Sequence, residues 1–108
     1  MRRDLPSAFE AKTISADTTL TTHDILLKGL FVNAASGVTI TLPPPQETVN
    51  GAECLMVNHS NGDLTLSCVE GFPDDADSRT IPAGSSAMLY CANVSGHEYR
   101  WALIGNNT

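Results

Sequence analysis

The residues best suited to chemistry are the carboxylates of the stretch EGFPDDAD: Glu70, Asp74, Asp75 and Asp77. Carboxylates gathered on one loop offer hard oxygen ligands to Ca²⁺. Their spacing does not follow an EF-hand loop, and no glycine stands where that loop needs its sharp turn. A solvated acidic loop is the simpler account of residues 70–77. His23, His59 and His97 lie beside turn residues without HxxxH or HxH spacing. Zinc needs three or four converging ligands, so exposed turn histidines fit better. Ser36 precedes Gly37 but belongs to no GxSxG elbow, and it reads as a turn entering a strand.

Cys54, Cys68 and Cys91 are an odd number, which cannot close fully into intrachain disulfides. No pair has CxxC spacing, and each sits in an apolar run, where cysteine behaves as a small hydrophobe. They read as reduced core residues of a chain formed in a reducing cytoplasm. A glycan-binding face would need an aromatic platform. Tyr99 and Trp101 alternate along one run, with Tyr90 on its hairpin partner. A core or subunit contact is the commoner fate of such a cluster. Phe72, within the acidic stretch, is the aromatic expected to be most exposed. No constellation argues for catalysis, so the chain reads as a non-enzyme without cofactor or metal.

These side chains are carried by a chain of 108 residues, a length that fits one domain. Charged residues make up 17%, below the usual ~25%. The net charge is −6, and the basic residues form no cluster beyond Arg2 and Arg3. A nucleic-acid partner and an anionic membrane surface are both disfavoured. No apolar run reaches the ~18 residues of a spanning helix. The opening MRRDLPSAFEAK lacks the apolar centre of a secretion signal.

Short strands separated by turn chemistry dominate. AKTISA (11–16) reads as a first strand. Leu30 and Val32 share one face, with Phe31 on the other. In GVTITL, Val38, Ile40 and Leu42 face one way and Thr39 and Thr41 the other, the alternation of a half-buried antiparallel strand. Three prolines, Pro43 to Pro45, then stop it, since proline donates no N–H. AECLMVNH, the Asn-Gly turn signal SNGD and LTLSCV read as a hairpin, with Leu64, Leu66 and Cys68 on one face. AMLYCAN, VSGHE and YRWALIG read as a closing hairpin. No internal repeat is evident. The predicted fold is all-β, a compact antiparallel sandwich or barrel of seven to nine strands with an extended N-terminal arm.

The arm is residues 1–16, before the single β domain of residues 17–108. It is charged, contains Pro6 and holds the one weak helical candidate, DLPSAFEAK. It reads as a segment that orders on a partner through Arg2, Arg3, Leu5, Phe9 and Lys12. The tail GNNT reads as short and exposed.

The succession ISADTTLTTHDILLKGLFVNAASGVTITLPPP, GAECLMVNHSNGDLTLS and IPAGSSAMLYCANVSGHEYRWALIG resembles a β-rich module of tailed-bacteriophage virion proteins. The resemblance covers residues 14 to 105 and rests on strands and turns, not on a catalytic signature. It implies a structural role and usually a homotrimer. The near-solitary module and its mixed-charge arm fit a capsid decoration, or cement, protein. Such a protein binds the major capsid protein on the outer surface of the virion head, after assembly in the host cytoplasm. A small tail fibre or spike component, and a glycan-binding module used in host adsorption, are the alternatives.

Overall fold

The computed structural model describes residues 12–25, 29–46, 50–96 and 98–105. The strands are β1 (Lys12–Ile14), β2 (Thr18–Thr19), β3 (Gly29–Val32), β4 (Val38–Thr41), β5 (Glu53–Asn58), β6 (Leu64–Phe72), β7 (Ala76–Ile81), β8 (Ser86–Ser95) and β9 (Glu98–Ile104). One helical turn, α1 (Thr22–Ile25), follows β2, and a 3-10 turn (Pro73–Asp75) joins β6 to β7. A five-stranded sheet has the order β1-β3-β5-β8-β9, and a four-stranded sheet the order β2-β4-β6-β7.

The chain is an all-β sandwich of two open sheets rather than a closed barrel. The antiparallel expectation needs one correction. β1, β3 and β5 are parallel to one another, and so are β2, β4 and β6. Antiparallel pairing begins only at β5–β8, β6–β7 and β8–β9. The chain winds as a solenoid of three coils, each placing one strand in each sheet, and the last three strands then close it. Sequence alternation cannot separate these cases, because it reports which face a side chain takes and not the direction of the neighbouring strand.

The inward faces are those expected. Leu30, Val32, Val38, Ile40, Leu42, Leu64, Leu66 and Cys68 are all buried, and Phe31 faces out. SNGD corrects a second expectation. It does not close a hairpin, since β5 and β6 lie in different sheets. It is a solenoid corner that stacks on the previous corner, AASG. His59 N–H donates to the Val32 carbonyl at 2.7 Å, and Val38 N–H to the Asp63 carbonyl at 3.2 Å. A Cβ on Gly62 would lie 2.4 Å from Gly37 N, so the stacking depends on glycine there.

Buried Asn58 braces this corner. Its Nδ2 donates to the carbonyls of Gly62 (3.0 Å) and Ile81 (2.9 Å), and its Oδ1 accepts from Ser60 N–H at 3.1 Å. On the opposite side of the solenoid, Thr21 and Asp24 form a reciprocal cap on α1. Asp24 N–H donates to Thr21 Oγ1 at 3.2 Å, and Thr21 N–H to Asp24 Oδ2 at 3.0 Å. Ile25 then fills the interior beneath.

Two further expectations change. β6 continues to Phe72 and β7 starts at Ala76, so residues 70–77 are a tight strand-to-strand turn rather than an open loop. Phe72 is fully buried, with the Arg79 guanidinium 5.3 Å from its ring centroid. Within the stretch read as the arm, Lys12–Ile14 form β1, and Ile14 is 3% exposed.

Candidate interaction surfaces

Of the expected arm contacts, Arg2, Arg3, Leu5 and Phe9 lie outside the described residues, as do residues 4–11 of the weak helical candidate, His97 and the end of the GNNT tail. Lys12 is placed in β1. Its ammonium bonds Asp24 Oδ1 at 3.1 Å, tying the first strand to α1. Thr21 N–H, with the Lys12 charge behind it, holds the Asp24 carboxyl below its ordinary range.

The acidic turn does not gather its carboxylates on a common point. Asp77 Oδ1 accepts the Glu70 N–H at 2.8 Å, while Asp75 Oδ1 accepts from Arg100 Nη2 at 2.8 Å. Arg100 also reaches Glu98 Oε2 at 2.8 Å. Among the described residues, no three of His, Cys, Asp and Glu converge as metal ligands. The three cysteines are free and buried. Burial raises all three thiols, Cys54 to about 11. The aromatic cluster divides. Trp101 is fully buried, Tyr99 packs partly against the core, and Tyr90 faces outward with Ala102 beside it. His59 is exposed and stacks on Phe31 at 5.6 Å.

No family model, curated protein or solved structure matches this chain.

The outer faces of the two sheets differ sharply. On the four-stranded sheet, the register aligns Thr19, Thr41, Ser67 and Ser78 in one row and Thr39, Thr65 and Thr80 in the next. This face is a ladder of small hydroxyl side chains. Asp17 Oδ1 accepts the Thr39 N–H at 2.8 Å and caps the second row. A groove of about 210 Å³ runs beside it, lined by Asp17, Thr18, Thr19, Thr39 and Thr41. On the five-stranded sheet, the register instead aligns Phe31 with Val57, and Leu55 with Met88 and Ile104. That face has an apolar centre, with Thr13, Glu53, Ser86 and Arg100 on the same side around it. Sequence reading saw both alternations but could not sort the outward residues by sheet, because it assigned neighbouring strands to one hairpin.

A third surface is the end where both sheets begin. β1 and β2 are the edge strands of their sheets at that end, and among the described residues each pairs on one side only. Residues 1–11 join the domain there.

Proposed function

We propose that this protein is a bacteriophage capsid decoration protein. It binds the outer surface of the head as a homotrimer and bridges neighbouring copies of the major capsid protein. The family resemblance of residues 14–105 supports a virion role. The observation that carries the binding mode is the pair of edge strands, β1 and β2, at the end where the N-terminal segment joins. An edge strand offers a row of backbone donors and acceptors to a partner strand. The segment that precedes β1 in the sequence carries Arg2, Arg3, Leu5 and Phe9, the side chains assigned here to the capsid contact.

Bridging several capsid subunits at once makes the second and third contacts intramolecular, so weak individual contacts sum to firm attachment. The test is deletion of residues 1–11, which leaves β1 and the Lys12–Asp24 pair intact. The variant should fold and keep its oligomeric mass while losing at least about tenfold in binding to expanded heads. Unchanged binding would overturn the arm's role. Immunogold electron microscopy tests location: label on the head supports the reading, and label confined to the tail overturns it.

A further inference from the structure

We propose that Asn61 is a site of spontaneous covalent modification: the backbone nitrogen of Gly62 closes on the Asn61 side-chain carbonyl, and the corner acquires an isoaspartyl link. The chemistry is independent of any capsid role.

Asparagine is one of the thermolabile residues, and its decay is intramolecular. The nitrogen of the following residue attacks the side-chain amide carbon and loses its proton. A C–N bond forms, the bond to the amide nitrogen breaks, and ammonia leaves a five-membered succinimide behind. Water then opens the ring at either carbonyl, to aspartate or to isoaspartate. No oxidant or reductant takes part. A following glycine favours the attack, because it has no side chain to shield its nitrogen.

The chain has two Asn-Gly pairs, Asn50-Gly51 and Asn61-Gly62, and both asparagines are exposed. The fold separates them. Gly51 N–H donates to the carbonyl of buried Cys91 at 2.9 Å. That bond keeps the proton on the nitrogen and fixes the peptide plane, so attack must first break it. Among the described residues, Gly62 N–H has no acceptor and the Asn61 side chain no partner. Asn61 is anchored instead through its own N–H, which donates to the Ala34 carbonyl at 3.3 Å. Its amide is left to turn onto the nitrogen that follows it. Neighbouring Asn58 has no such freedom, since it is buried with its amide bonded to Gly62, Ile81 and Ser60.

The corner also keeps the second member of the reactive pair. A Cβ on Gly62 would collide with the backbone of Gly37. The packing that stacks SNGD on AASG therefore requires a glycine directly after Asn61.

Both products change the corner. One amide becomes one carboxylate, so the net charge of −6 becomes −7. Isoaspartate in addition lengthens the main chain by a methylene. The extra length displaces Gly62 from Gly37 and pulls its carbonyl from Asn58 Nδ2, now 3.0 Å away.

The test is a time course of the full chain in mildly alkaline buffer. Peptide mapping by mass spectrometry reads conversion at each asparagine, and enzymatic methyl transfer detects isoaspartate. In the native protein, residue 61 should convert at least about fivefold faster than residue 50, the factor of one typical backbone hydrogen bond. In denaturant, where Cys91 no longer holds Gly51, the two rates should converge. The fast-forming acidic species should be absent from Asn61→Ser. The isoaspartyl form, separated by ion exchange, should melt below Asn61→Asp, which carries the same charge on an unaltered main chain. A native ratio below that factor, or one that persists unchanged in denaturant, would overturn the site. An isoaspartyl form as stable as Asn61→Asp would overturn its effect on the corner.

Discussion

Trp101 Nε1 donates a 2.9 Å hydrogen bond to the carbonyl oxygen of Pro43, 58 residues earlier in the chain. The bond joins β9 of one sheet to the segment leaving β4 of the other. Leu42 makes the last pairing contact, donating to the Ser67 carbonyl at 2.9 Å. Pro43 has no N–H to satisfy, so it can be buried with a single polar group to place. That group accepts the indole N–H, and Cys68 Sγ lies 3.8 Å from the same oxygen. The three prolines therefore do more than end a strand. The first of them fastens the two sheets together.

Trp101→Phe should be clearly destabilising. It leaves the Pro43 carbonyl with only a weak thiol donor, at a cost of about 1–3 kcal/mol, and opens a void where the larger ring packed. Thermal unfolding followed by circular dichroism should show the midpoint falling by roughly 10 °C. A shift of less than about 2 °C would show that the bond contributes little.

Asn58→Ala should cost about 2–5 kcal/mol, because it strands several buried groups at once. The carbonyls of Gly62 and Ile81 lose their donor and Ser60 N–H loses its acceptor. In urea, the midpoint should fall while the slope stays near wild type, as expected when the native state alone is weakened. A wild-type midpoint would show that water replaces the amide without loss.

The faces of the strands were legible in the sequence, and their pairing was not. Val38, Ile40 and Leu42 against Thr39 and Thr41 give the buried side of β4 directly, since side-chain alternation is local. The coils escaped notice because their lengths differ. Leu30 registers with Met56 and Ile40 with Leu66, an offset of 26 residues, whereas Lys12 registers with Leu30 at 18 and Thr18 with Ile40 at 22. No fixed period exists for a sequence scan to find. SNGD carries the chemistry of a tight turn, but a solenoid corner needs the same chemistry as a hairpin. Phe72 looked exposed because four acidic residues surround it. Only the continuation of β6 through the Gly71 position turns its ring inward.

Asp24 should give the protein a specific acid-side sensitivity. Thr21 N–H and the Lys12 ammonium lower its folded pKa below the ordinary 3.8. A carboxyl lowered in the folded state contributes stability that is full above its unfolded value and is lost as pH falls through the folded value. The melting temperature of wild type should thus drop from about pH 5 downward more steeply than that of Asp24→Asn. The two profiles should converge at the acid end, where Asp24 is protonated in both states. Parallel profiles would show that the Thr21–Asp24 cap and its tie to β1 add nothing to folding.

The cysteines should be inert until the sandwich opens. Cys54 is fully buried and its thiol is pushed up to about 11, with Cys68 and Cys91 raised for the same reason, loss of water around the thiolate. At pH 8 about one Cys54 thiol in a thousand is ionised, and the thiolate is the reactive form. A chromogenic disulfide reagent added to native protein should therefore report almost no fast reaction, and the full count of three should appear in denaturant. Reaction in native buffer should follow global opening of the fold, so Trp101→Phe and Asn58→Ala should accelerate it in proportion to their loss of stability. A thiol that reacts quickly in the wild-type protein, unaffected by those substitutions, would place that cysteine at a site that opens locally.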